Sequence, residues 1–267
     1  MLGSLVGEDF KMQRTVTNSV RTLVFCLSTA SIKTRVHFFP SAGASGGHFP
    51  VSCTLTLFGK GIERRSVLLD GGRLNQPDGL RLEDAFPVLR GEVSGVFGLE
   101  LQLSCPQGRV NLLSSQAAVE FVSSSSSMMY GCAPFAPMTE EVDEPPLSDR
   151  LIEQKPRPSA AIAVQDAELS SSLVIVNSSA EPLKPELGHT ALGAAKPLHV
   201  GTLSPETVVE VPLDEALFKD SLQRGTIWGS TRVEKMVLPE AARAAQASYY
   251  LLFRDPATKR PVSACAL

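Results

Sequence analysis

The sequence is short of aromatic residues: they make up 6% of its 267 positions, with one Trp and three Tyr. Sugar-binding platforms and single-stranded nucleic-acid grooves rely on exposed aromatic faces, so this scarcity weighs against both. An excess of charge of one sign is also missing. Its 25 basic and 28 acidic residues leave a net charge of −3, too weak a field to steer nucleic acid or an anionic lipid surface toward the chain. No apolar run approaches the roughly 20 residues that span a bilayer as a helix. The five cysteines, Cys26, Cys53, Cys105, Cys132 and Cys265, form no CxxC pair and stand beside no histidine at metal-ligand spacing. A scattered, odd set reads as buried reduced thiols, which fits a reducing, cytoplasmic compartment. Export is the alternative reading. Residues 21–32, RTLVFCLSTASI, run from a basic residue through a short apolar stretch to Ala30, a small residue at a cleavage-like position. Ser and Thr interrupt that stretch, and a first β-strand suits it better.

Signatures of catalysis are absent too. There is no G-x-S-x-G elbow, no G-x-x-x-x-G-K-[ST] phosphate loop, no H-E-x-x-H and no G-x-G-x-x-G after a strand. The Gly-rich stretch SAGASGGHF (residues 41–49) lacks the Lys and the following helix of an anion cradle, and reads as a loop joining two strands. Of four histidines, His37 sits in the strand-like RVHFF, and His48 closes that Gly-rich loop. His189 and His199, ten residues apart, could meet across a hairpin and share a metal. No acid or thiol stands at matching spacing, so two surface histidines on a hairpin are the simpler reading. The acid pairs Glu83–Asp84 and Asp214–Glu215 could in principle do acid/base work. At the opening of a helical turn the same acids offset the partial positive charge of the first amides, and this reading is preferred. No catalytic, cofactor-binding, metal or binding residue is assigned.

What the chain does contain is extended structure. CTLTLFG, RSVLLDGG, GLRLEDAF, GLELQLSC, RVNLL and AAVEFVSS are short, rich in β-branched or aromatic residues, and bounded by Gly, Pro, Asn, Asp or Ser. Leu99, Leu101 and Leu103 alternate with Glu100 and Gln102, the period of a strand with one wet face. Short strands at this density predict an all-β fold of antiparallel sandwiches, Ig-like or jelly-roll-like.

The chain also resembles itself. SGVFG (94–98) is echoed 131 residues later by GTIWG (225–229), and LEDAF (82–86) falls on LDEAL (213–217) at the same offset. SQAAVEFV (115–122) falls on AQASYYLL (245–252), LTLF (55–58) on LVIV (173–176), and Cys132-Ala133 on Cys265-Ala266. These matches predict an internal duplication in which Phe97 and Trp228 fill equivalent core positions beside a glycine that allows close backbone approach. Residues 139–158 carry six acids and three bases, and residues 134–160 hold six prolines, so this stretch predicts an extended acidic connector. The expected organisation is a flexible segment over 1–20, a first sandwich over 21–133, the linker over 134–158 and a second sandwich over 159–267. The five serines 123–127 are expected to join the last two strands of the first copy. LPEAARAAQAS (238–248) is a helix candidate. Tyr249 and Tyr250 must point to opposite faces of a strand, with one of them exposed.

Two sandwiches without a catalytic set read as a non-enzymatic protein-interaction or adaptor module that offers loops or sheet edges to a protein partner. A homo-oligomer is a further expectation; no cofactor is expected. The alternative is a small-ligand or carbohydrate-binding protein, or a hydrolase, with its site in the cleft between copies near His189 and His199.

Overall fold

The computed structural model describes residues 19–39, 52–74, 76–91, 93–104, 116–132, 136–137, 160–165, 168–191, 194–198, 200–213, 227–237 and 247–266. The first half contributes β1 (Ser19–Ser28), β2 (Lys33–Phe39), β3 (Ser52–Gly59), β4 (Ile62–Leu69), β5 (Leu80–Arg81), β6 (Gly95–Ser104), β7 (Gln116–Val122), β8 (Ser127–Gly131) and β9 (Ala136–Pro137). Between β4 and β6 lie two single-turn helices, α1 (Gly71–Leu74) and α2 (Leu82–Ala85), and a 3-10 turn, Pro87–Arg90. The second half contributes β10 (Ala160–Gln165), β11 (Ser170–Asn177), β12 (Lys184–Ala191), β13 (Ala194–Leu198), β14 (Thr207–Pro212), β15 (Ile227–Val237), β16 (Ala247–Arg254) and β17 (Pro261–Ala266). The all-β expectation holds. The apolar stretch after Arg21 forms β1, which begins at Ser19, inside the segment expected to be flexible. Ala136 and Pro137, expected in the connector, instead pair with Arg21 and Val20 and widen a sheet. Of the helix candidate 238–248, Ala247 and Ser248 open β16, where pairing with β11 outweighs alanine's helical preference; the rest lies outside the described residues.

The strands form four antiparallel sheets: β4-β3-β6-β1-β9 (sheet I), β5-β2-β7-β8 (sheet II), β14-β11-β16-β17 (sheet III) and β10-β15-β12-β13 (sheet IV). The order repeats with a shift of nine strands. Sheet IV, read backward as β13-β12-β15-β10, follows β4-β3-β6-β1, and sheet III follows sheet II. Phe97 and Trp228 accordingly lie on β6 and β15, the same place in that order. Two sequence matches do not follow it. LTLF lies on β3 but LVIV on β11, which takes the place of β2. Cys132 follows the end of β8 whereas Cys265 is within β17, opposite Leu251. Any strand covered on both faces reads as an unbroken apolar run, which is why LTLF and LVIV look alike from different positions.

Such runs mark where the core sits. β1 is buried along both faces, from Thr22 to Ser28. One contiguous apolar cluster takes in Leu55, Leu99 and Leu101 of sheet I, Val36, Val119 and Phe121 of sheet II, and Val174, Val176, Tyr250 and Leu252 of sheet III. The opposite face of sheet III, with Leu173, Ile175, Tyr249 and Leu251, builds a second cluster with Leu183, Leu203 and Leu213. The central strands of sheet III, β11 and β16, are therefore dry on both sides. Tyr249 and Tyr250 do point to opposite faces, but neither is exposed, because each face is covered.

Rings weld three sheets together. Phe25 of β1 stacks on Tyr130 of β8 with centroids 4.9 Å apart and meets the edge of Tyr250 of β16 at 5.2 Å. The Tyr130 hydroxyl donates to the Phe25 carbonyl, and the Tyr250 hydroxyl to the Leu23 carbonyl. On β6, Gly98 faces Phe58, and a Cβ there would stand 2.4 Å from that ring. Phe97 beside it is 2% exposed, a burial that stabilises by about 2 to 3 kcal/mol. The wet face expected of β6 is absent at Glu100, which is 7% exposed. Burying a carboxylate requires a partner, and Arg64 supplies it, with Nη2 3.5 Å from Glu100 and Nη1 2.7 Å from Glu206 of the second half.

Candidate interaction edge at strand β4

The polar residues singled out by sequence have structural partners or fall outside the described residues. His37 Nε2 lies 3.0 Å from Glu120 Oε2, with Arg35 Nη1 3.7 Å from the same oxygen. These three sit on β2 and β7, on the outward face of sheet II. Gly79 covers the imidazole so closely that a Cβ there would stand 2.7 Å from it. Glu83 and Asp84 occupy the first turn of α2, as expected; Glu83 faces Lys33 at 3.6 Å and Asp84 faces Arg90 at 3.2 Å. The serines expected to join two strands do so between β7 and β8, where the Ser123 hydroxyl bonds the Ser126 carbonyl at 2.9 Å and closes the turn. His48, His199, Asp214, Glu215, Cys105 and the Gly-rich stretch lie outside the described residues. His189 lies on β12, and the expected meeting of His189 with His199 falls outside the described residues. Among the described residues no three His, Cys, Asp or Glu gather as a metal site would require.

Cys26 and Cys53 are not poised as nucleophiles. Burial pushes the Cys53 thiol up to about 12 and holds Cys26 well above the usual thiol range, so neither forms the thiolate that reacts. A crevice between the halves, lined by Ile32, Phe121, Met128, Ser126, Arg260 and Pro261, has a cavity volume of about 10 Å³, far short of the ~300 Å³ at which ligand pockets begin.

Sheet edges and faces differ in how they are covered. The cross-strand pair Arg35–Glu120 of sheet II stands where sheet III has Val174–Tyr250, if AAVEF and ASYYL are matched as their sequences match. One face thus holds paired charges that are half-buried, its counterpart apolar side chains that are buried. An edge strand leaves a row of unpaired backbone groups that a foreign strand can join unless something blunts it. β9 and the two tyrosine hydroxyls cover the free edge of β1. β5 is two residues long. β8 and β17 lie beside one another, tied by Arg260 Nη1 to Ser125 Oγ at 2.8 Å. β14 lies against β3 and β6. β13 carries Lys196 and Pro197, and Pro has no N–H to offer.

β4 is different. It spans eight residues, and among the described residues no strand pairs with its second edge. Glu63, Arg64 and Arg65 protect its first part, but from Ser66 to Leu69 it carries neither charge nor Pro. Leu68 is 69% exposed, more than the other large exposed hydrophobics Met129 and Val262. The geometry permits strand addition, in which main-chain hydrogen bonds supply affinity and side chains supply selectivity. Sequence reasoning read RSVLLDGG as a strand but did not single it out as a site. The signal was there: two consecutive leucines on a strand must face opposite ways, and Leu69, fully buried, sends Leu68 outward.

No family model matches the chain, and no curated protein matches it. Among solved structures the chain is similar to the CupB6 tip adhesin from Pseudomonas aeruginosa, at 8% identity over 93% of this chain and 88% of that one, with a TM-score of 0.18. At that score the two backbones do not correspond closely enough for any property to be carried over.

Proposed function

We propose that the chain is a non-catalytic protein-interaction module, built from two copies of one sandwich that act as a single rigid body and present the β4 edge to a partner. The observation that carries the reading is β4 itself: the longest edge strand among the described residues, with no strand paired on its outer side there and with an outward leucine. Duplication is supported by the nine-strand shift in sheet order and by the place of Phe97 and Trp228 in it. Rigidity is supported by the core common to sheets I, II and III, since an interface that is large and dry suppresses relative motion.

The test is a photo-crosslinking residue at position 68, used in the native host, with Leu68→Lys as the paired variant in affinity purification. Leu68 is exposed, so a lysine there leaves the fold intact while placing an edge-blocking charge. The expected result is a crosslinked partner whose capture falls at least tenfold with Leu68→Lys. Capture unchanged by the variant, with no crosslink from position 68, would refute the role of this edge.

A further inference from the structure

We propose that the segment received by β4 is an extended acidic–apolar stretch of a partner protein, with a carboxylate opposite Arg65 and apolar side chains opposite Val67 and Leu68; this rests on the β4 reading above. Arg65 is exposed and forms no ion pair among the described residues, whereas its neighbour Arg64 is committed to Glu100 and Glu206. Register places Arg65 and Val67 opposite Leu57 and Leu55 of β3, hence on one face, with Leu68 on the other. A strand hydrogen-bonded to the open side of β4 would set its own residues opposite these in the same alternation. An acid, any residue, then two apolar residues is the resulting pattern, read in that order for a parallel addition and reversed for an antiparallel one. Charge thus sets the register, because a slip of the partner strand would carry its acid away from Arg65.

The probes are three synthetic octapeptides of Thr, with Val at the two adjacent positions meant to oppose Val67 and Leu68, that differ only in the residue meant to oppose Arg65: Glu, Gln or Lys. Each is titrated against the full chain while backbone amides 62–69 are followed by NMR. The expected result is shifts confined to β4 and its neighbours, with the Glu peptide binding about fivefold tighter than the Lys peptide. Arg65→Glu, an exposed substitution, should reverse that order, whereas Arg73→Glu on α1 should leave it alone. The proposal is overturned if no peptide binds, if the shifts lie elsewhere, or if the order ignores Arg65→Glu. It is also overturned if the chain pairs with itself through β4, seen as a doubled solution mass that Leu68→Lys abolishes. A charge-blind order together with partner capture still sensitive to Leu68→Lys would remove this inference and leave the interaction reading standing.

Discussion

Tyr249 and Tyr250 are adjacent, both buried, and differ only in the face they occupy, so the same substitution should have opposite signs at the two positions. Tyr250 is fully buried; its hydroxyl donates to the Leu23 carbonyl, and its ring packs 5.2 Å from Phe25 and 5.5 Å from Tyr130. Tyr250→Phe keeps the ring but leaves a buried carbonyl unpaired, which costs about 1 to 2 kcal/mol. Tyr250→Ala also removes the ring and should cost about 3 to 5 kcal/mol. Tyr249 is 6% exposed, and its hydroxyl has no hydrogen-bond partner among the described residues. Tyr249→Phe removes an unsatisfied group and should leave stability unchanged or raise it by up to about 1 kcal/mol. Urea unfolding measures both, with the single Trp228 reporting the second half and hydrogen exchange in β1 reporting the first. Because the core is common, Tyr250→Phe should lower the urea midpoint and weaken protection of β1 together. Equal effects at the two tyrosines, or a Tyr250→Phe variant whose β1 protection is untouched, would refute the shared core.

Two further outcomes follow from the packing. Gly98→Ala would bring a methyl within 2.4 Å of the Phe58 ring and should lower stability by about 1 to 3 kcal/mol in the same urea assay; a neutral result would mean that the ring moves aside freely. For Cys53, with its thiol pushed up to about 12, and for Cys26, held well above the normal range, iodoacetamide should give no native-state labelling as pH rises through about 8.5, where an ordinary thiol becomes reactive. Mass spectrometry after labelling in urea should then find both modified, and native labelling near that pH would contradict their burial.

Several features were legible before folding because they are local. Period-two alternation and turn residues announced strands, and the acids at 83 and 84 announced the first turn of α2. The apolar LVFCL run announced a first strand, which β1 is; that it is covered on both faces was not announced. What misled was the alternation in LELQL. It describes chemistry along one strand, and a wet face follows only if no other layer lands on it; Arg64 makes Glu100 compatible with cover from the second half. The exposed tyrosine failed for the same reason.

The candidate site was less legible than the fold. Histidines, paired acids and Gly-rich loops stand out in a sequence because their chemistry is distinctive, yet His37, Glu83 and Asp84 are absorbed by neighbouring charges. β4 contains no distinctive chemistry. Its interest lies in hydrogen-bonding groups that every residue has, and whether these are free depends on which strand lies alongside.

From its order of residues alone, this protein was bound to be an antiparallel β structure with recurring segments, because side-chain period and turn propensity act over a few residues. Which faces stayed wet, which edges stayed open, and that the central strands of sheet III would be covered on both sides were settled by contacts between residues more than a hundred positions apart. Tyr250 meeting Leu23 is one such contact, and no local pattern encodes it.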